Sequence, residues 1–176
     1  MMWFWIIIGL LIAYAFLVYV ASRFAVPFME WGGFRPAVEI PPEMQQVVTD
    51  LEGKAFDQHT YLQAVFDLVM EKNRRQWNHT RFQAAVRLPR AFVTDLSEIW
   101  NTQDFIYCTG INYLAAALLS NSKYFRPQDI KVRHVFVNFF IHQYLQVRVG
   151  EKWVDFDPAG TGIRGSPLGT HLAWFG

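Results

Sequence analysis

The sequence predicts an α+β fold preceded by a membrane-spanning helix. Residues 1–21 contain no charged side chain, segments with helical spacing fill 43–120, and segments rich in Val, Ile and aromatic residues with alternating polarity fill 130–158. Helices followed by consecutive strands are typical of α+β domains with an antiparallel sheet. A length of 176 residues with 52% hydrophobic content suits one small domain plus an N-terminal segment.

The N-terminal segment reads MMWFWIIIGLLIAYAFLVYVA and also lacks Asn, Gln and Pro. At about 1.5 Å per helical residue it just covers a hydrocarbon core about 30 Å thick. A cleaved signal peptide is the alternative, because Val20, Ala21 and Ser22 resemble a cleavage site. The segment has no basic start and exceeds a typical apolar signal region of about 7–15 residues. The prediction is therefore a transmembrane signal anchor over 1–22, giving a single-pass membrane protein in contact with lipid.

The charge pattern bears on orientation and partners. No Lys or Arg precedes Arg23, and Arg23 and Arg35 follow the span, so the positive-inside rule favours a cytoplasmic C-terminal domain. Beyond Arg23 the chain has 15 basic and 15 acidic residues. A balanced surface offers no electrostatic basis for binding nucleic acid, which is excluded as a partner.

After the span, residues 23–42 contain Gly-Gly and four prolines, which predict an irregular juxtamembrane linker. The folded domain is predicted over 43–176. Its helical segments are EMQQVVTDLEG, FDQHTYLQAVFDLVMEKNRRQW, AFVTDLSEIWN and the segment after Cys108. Its strands are IKVRHVFVNF, IHQYLQVRV and KWVDFDP, with a turn at Gly150 between the last two. The Gly-rich tail is predicted to be loop.

Cys108 is the single cysteine and lies in FIYCTGINYLAAALLS. Apolar residues at 111, 114, 115, 118 and 119 predict a buried helix that begins beside it. A free thiol has a pKa of about 8.5 and becomes a good nucleophile when a helix N-terminus or an imidazole stabilises the thiolate. The other interpretation is core packing, because free cysteine is among the most buried residue types.

Two histidines lie on the predicted strands. His142 is on the polar face of the second strand, opposite the apolar face formed by 141, 145, 147 and 149, so it can meet a cysteine at a cleft. His134 has Val132 and Phe136 as neighbours on its face, a pattern that fits packing. A catalytic imidazole also needs a third group to fix its tautomer. Asp155 and Asp157 share one face of the third strand, and alternation alone does not choose between them.

A metal site built from Cys108, His134, His142 and Asp157 is a weaker interpretation. None of these residues forms a closely spaced ligand pair such as Cys-x-x-Cys. The sequence therefore predicts neither a metal nor another cofactor.

The stretches CTGINYLAAALL and IHQYLQVRVGEKWVDFDP, with cysteine at a helix start, histidine on a strand and aspartate before proline, resemble the transglutaminase-like branch of the papain-like cysteine superfamily. The resemblance covers about residues 60–160. It implies Cys108 as nucleophile, His142 as general base and then acid, and Asp157 as the residue that orients the imidazole. One departure is the segment SNSKYFRPQDIKVR, which lacks the Gly-Ile-Pro turn common in the family.

An acyl-transfer site also needs donors for the oxyanion. The backbone N–H of Cys108 at the helix start is the expected first donor, Gln103 the expected second, and Trp100 a weaker candidate. The functional hypothesis is a membrane-anchored cysteine-dependent enzyme that cleaves or transfers amide bonds of a protein or peptide through a thioester. It includes peptidase, amidase and transglutaminase chemistry. The alternative is a catalytically silent transglutaminase-like scaffold bound to a membrane-protein partner.

Overall fold

The computed structural model of the protein describes residues 2–29, 34–74, 88–103, 106–137, 140–159 and 167–172. Within these ranges the side chains at 2, 18–25, 73, 74, 88 and 135–141 are not described. The described part of the chain contains five α-helices and one three-stranded antiparallel sheet, so it is a small α+β structure.

The helices are α1 (Met2–Ala25), α2 (Pro42–Lys54), α3 (Gln58–Arg74), α4 (Leu96–Asn101) and α5 (Cys108–Ser120). The strands are β1 (Ile130–Val137), β2 (Phe140–Val149) and β3 (Lys152–Phe156). Short 3-10 helices lie at Leu88–Phe92 and Pro127–Asp129. The helix that begins at Cys108 and the three strands lie where their apolar spacing predicts them.

The sheet has the order β1-β2-β3. Gly150 turns β2 into β3 with a φ of +58°, a left-handed conformation that glycine adopts without a steric penalty. The register places Leu145 opposite Phe156 and Gln146 opposite Asp155. Because the strands alternate, Leu145 and Phe156 face the core while Gln146 and Asp155 lie on the other face.

The core lies between the sheet and helix α5. Leu114, Leu118 and Leu119 of α5 are buried, and β2 contributes the buried Leu145 and Val147. Helix α3 packs on the other side of α5. There the hydroxyl of Tyr61, which is fully buried, donates to the carbonyl oxygen of Leu118 over 3.0 Å. The helix that carries Cys108 is thus fixed from both sides.

The predicted helix over 91–101 is divided. Residues up to Phe92 form a 3-10 helix, and α4 begins only at Leu96. Asp95 precedes α4, and its side chain accepts a hydrogen bond from the Glu98 backbone N–H over 2.7 Å. Aspartate favours this N-cap position because its side chain satisfies an amide that the helix leaves unpaired. The cap therefore fixes where the helix starts.

The segment predicted to be a linker contacts the domain. The Phe28 ring stacks on Tyr113 with ring centroids 3.6 Å apart, and Phe28 has a φ of +63°, which is unusual for a bulky side chain. The carbonyl oxygen of Ala37 accepts a hydrogen bond from Asn121 at the end of α5 over 2.8 Å. The predicted domain boundaries at 22 and 42 stay predictions.

The predicted transmembrane span is wrong. Among the residues that the structure describes, no helix is both long and apolar enough to cross a membrane. A span needs about 20 consecutive apolar residues to cover about 30 Å. Single-pass membrane localisation and the cytoplasmic orientation derived from it are therefore not supported.

Candidate active site

Cys108 is the first residue of α5 and is half-buried. The first hydrogen bond of the helix runs from the Ile111 N–H to the Tyr107 carbonyl, 3.0 Å, so the N–H of Cys108 has no acceptor within the helix. At Gly110 an added Cβ would lie 2.7 Å from Cγ2 of Ile106. The glycine therefore lets the chain before the helix pack closely against its first turn.

His142 and Asp157 form a direct contact beside this helix end. Nε2 of His142 lies 2.9 Å from Oδ2 of Asp157. The Asp157 carboxylate is fully buried and the His142 side chain is 12% exposed. The same carboxylate oxygen accepts a second hydrogen bond, 2.9 Å long, from the backbone N–H of Leu172 in the C-terminal tail.

The strand register explains which aspartate reaches His142. Asp155 lies directly opposite Gln146 and accepts a hydrogen bond from its amide over 2.8 Å. Asp157 follows two residues later, and continuation of the register places it opposite Tyr144. His142 precedes Tyr144 by two residues on β2 and lies on the same face of the sheet. It is therefore the diagonal neighbour of Asp157, within reach of its side chain. Sheet register therefore assigns Asp157 to the imidazole and Asp155 to Gln146.

The environment of His142 favours its protonated form. Burial alone lowers the pKa of His142, but hydrogen bonds to Asp157 and Cys108, together with the negative charges of both groups, raise it to about 10. Because Nε2 faces Asp157, Nδ1 is the ring nitrogen left for the Cys108 sulfur. The three side chains named from the sequence are thus brought together, with the imidazole between sulfur and carboxylate.

The remaining predicted site residues lie elsewhere. Gln103 is exposed in the segment before α5, and its role as oxyanion donor stays a prediction. The ring of Trp100 is covered by the Lys72 ammonium, 3.9 Å from the ring centroid, which indicates a packing role. His134 lies on β1 opposite Gln143 of β2. Within the described ranges, no group of three or more His, Cys, Asp or Glu side chains could hold a metal ion.

Two buried amides support the site and were missed by the sequence analysis. Nδ2 of Asn112, one turn after Cys108, donates to the backbone carbonyl oxygen of Gln143, next to His142, over 2.8 Å, and the Gln143 side-chain amide donates to the Phe28 carbonyl over 3.1 Å. Both amide side chains are fully buried. The bond fixes the cysteine helix against the histidine strand. The available signal was Gln143 itself, a polar residue on the otherwise apolar face of β2.

The C-terminal tail was also missed as part of the site. The sequence predicts loop there, and a backbone N–H such as that of Leu172 leaves no sequence signal. The tail is held along β3 by a hydrogen bond from the Gly169 N–H to the Asp155 carbonyl, 2.9 Å, and His171 stacks on Tyr144.

Comparison with known proteins gives no relative. No family model matches the chain, and neither the curated proteins nor the solved structures contain a protein that matches it.

Proposed function

We propose that this protein is a cysteine-dependent enzyme of the transglutaminase-like type, which cleaves or transfers an amide bond of a protein or peptide through a thioester. The observation that carries the proposal is the position of His142, hydrogen-bonded to Asp157 on one side and to Cys108 on the other. Nucleophile, base and orienting group in this order form the arrangement that thiol acyl transfer requires.

In the first step the Cys108 thiolate attacks the carbonyl carbon of the substrate amide. A C–S bond forms, the carbonyl oxygen becomes an oxyanion, and the backbone N–H of Cys108 donates a hydrogen bond to it. As the tetrahedral intermediate collapses, the C–N bond breaks and the imidazolium of His142 gives its proton to the leaving nitrogen. The products are an amine and a thioester on Cys108.

In the second step neutral His142 takes a proton from the incoming nucleophile. Water attacks the thioester to give a carboxylic acid, or an amine attacks to give a new amide, and the C–S bond breaks to restore the thiolate. We expect hydrolysis, because transfer to an amine would require a site that excludes water. The Nε2–H group of His142 donates to Asp157 throughout, so Nδ1 is the nitrogen that exchanges protons with the sulfur and the substrate.

The test uses p-nitrophenyl acetate, a small activated acyl donor that any reactive cysteine of this kind accepts. Wild-type protein is mixed with the ester, p-nitrophenolate release is followed, and the protein is examined by intact mass spectrometry. We expect a burst of p-nitrophenolate with acetyl transfer to Cys108, followed by slow turnover. Cys108→Ser is the matched variant and should abolish both the burst and the mass change.

The acceptor is identified in the same assay. Added methylamine competes with water for the acetyl thioester, and N-methylacetamide is measured against acetate. Excess acetate supports hydrolysis, and an amide product at millimolar methylamine supports acyl transfer. Acetylation that is equally fast in wild type and His142→Ala, or absent in wild type, contradicts the proposed function and favours a silent scaffold.

A further inference from the structure

A polar cavity lies at the end of the domain opposite Cys108. It is half open to solvent and has a volume of about 340 Å³. Its walls come from the first turn of α3, the loop after α5, the end of the 3-10 helix at 127–129, the end of β2 and the β2–β3 turn. The lining residues are Gln58, Lys123, Tyr124, Arg126, Asp129, Arg148 and Gly150. Cys108 and Ser120 are separated by 12 residues of helix, about 18 Å, so this cavity is separate from the candidate active site.

The charges that line the cavity are unbalanced. Lys123, Arg126 and Arg148 contribute three cations, and Asp129 is the single lining carboxylate. Asp129 already binds one of the cations, since it accepts hydrogen bonds from Nε and Nη2 of Arg148, the first over 2.9 Å. Within the described residues, the Lys123 ammonium and the Arg126 guanidinium have no carboxylate partner in ion-pair contact. The Lys123 ammonium lies over the Tyr124 ring, 5.1 Å from its centroid, and the Glu52 carboxylate, outside the lining, accepts from the Lys123 backbone N–H. With three cations and one carboxylate, the lining carries a net charge of +2.

The Arg148 guanidinium and the wall of the cavity are held in place by hydrogen bonds. Because Nε and Nη2 of Arg148 bind Asp129, the Nη1 group is left to donate elsewhere. Oδ2 of Asp129 also accepts from the Arg126 backbone N–H over 3.0 Å, which fixes the loop that carries this cation. The side-chain amide of Gln58 donates to the Tyr124 carbonyl oxygen over 2.9 Å and accepts from the Gly150 N–H over 3.0 Å. It therefore closes the wall between the loop and the hairpin. Of the three cations, the Arg148 guanidinium is thus fixed before binding and loses little freedom when a ligand arrives.

We propose that this cavity is a binding site for a small polyanion whose phosphate or carboxylate oxygens contact Lys123, Arg126 and Arg148. A guanidinium fork and an ammonium are the groups that proteins use for such oxygens, and the volume lies at the lower end of the range for small-ligand sites. The site has no described contact with the cysteine and is independent of the proposed acyl transfer.

The test is calorimetric titration of the full chain with pyrophosphate and, separately, with citrate at low ionic strength. We expect pyrophosphate to bind with a Kd below about 1 mM. Lys123→Gln and Arg126→Gln should each weaken binding about tenfold, because each removes a charge-assisted hydrogen bond. Both side chains are exposed, so the melting temperatures should stay at the wild-type value. Tighter binding of citrate would assign the site to carboxylates in place of phosphates.

Lys152→Gln is the matched control, because Lys152 is an exposed lysine of the adjoining strand that does not line the cavity. It should leave the Kd within about twofold, as expected for a screened surface charge. Absence of heat up to about 10 mM pyrophosphate in wild type, or equal weakening by Lys152→Gln, overturns the proposal. Cys108→Ser should bind pyrophosphate as wild type does, so a failed acyl-transfer assay leaves this result unaffected.

Discussion

Among the described residues, two histidine–aspartate pairs lie on neighbouring parts of one sheet face, and they differ in geometry. Nε2 of His142 lies 2.9 Å from Oδ2 of Asp157, and the carboxylate is fully buried. Nε2 of His171 lies 3.7 Å from Oδ2 of Asp155, too long for a hydrogen bond, and both side chains are between 20% and 25% exposed. Only the first pair also contacts the cysteine.

Burial and a third partner, more than residue type, therefore distinguish the His142–Asp157 pair from the His171–Asp155 pair. Asp155 is already engaged by Gln146, and His171 is held by stacking on Tyr144. A pair of this kind acts as a weak surface contact, worth about 0–1 kcal/mol. The His142–Asp157 pair lies in a region of low dielectric, where the same charges interact more strongly.

The largest expected difference between the two pairs is in the rate of Cys108 acetylation when each aspartate is replaced by asparagine. We expect Asp157→Asn to slow acetylation of Cys108 by p-nitrophenyl acetate at least about a hundredfold, because the imidazole loses its fixed tautomer. Asp155→Asn should change the rate less than about threefold, as an exposed charge would. The measurement is the burst rate at neutral pH. Equal effects of the two variants would contradict the assignment of Asp157.

The free energy of unfolding should also depend more on Asp157 than on Asp155. Asp157→Ala leaves a buried imidazolium without its counter-charge and the Leu172 N–H without an acceptor. We expect the free energy of unfolding to fall by about 3–5 kcal/mol, against about 1 kcal/mol or less for Asp155→Ala. Urea unfolding followed by fluorescence measures both. A loss below about 1 kcal/mol in Asp157→Ala would show that the carboxylate is hydrated and the pair weak.

The pH dependence of stability sharpens the comparison further. The pKa of His142 is raised from its ordinary 6.5 to about 10 in the folded protein. A raised pKa contributes stability fully below about pH 6.5 and loses it as the pH rises toward 10. We expect the unfolding free energy of wild type to decline over this window, and that of His142→Gln to decline less. Parallel curves would mean that the imidazole is not held as a cation.

The smallest predicted effect concerns the tail. Leu172→Pro removes the N–H that donates to Asp157, while Leu172→Ala keeps it and removes a similar amount of apolar contact. We expect alkylation of Cys108 by iodoacetamide at pH 7 to be about tenfold slower in Leu172→Pro than in Leu172→Ala. A factor of about ten corresponds to the loss of one hydrogen bond to a charged group. Equal alkylation rates in the two variants would mean that the tail contributes only packing.

Much of the framework follows from short-range sequence pattern. The apolar spacing after Cys108 predicts α5, and the alternation in 141–149 predicts β2, because side-chain periodicity reports local geometry directly. The same reasoning failed at residues 91–101, where the N-cap at Asp95 divides the predicted helix. It failed at the N-terminus too, where an apolar run predicted a membrane span that the described structure does not contain.

By itself, the sequence determined which residues are available for chemistry: one cysteine at a helix start, a histidine on a polar strand face and two aspartates that alternation could not separate. The tertiary structure decided which aspartate is used, because strand register is set by pairing between segments and not within one. It also supplied the Leu172 amide and the cavity around Arg148. Backbone donors have no residue identity, and charges distant in sequence form a site only where folding brings them together.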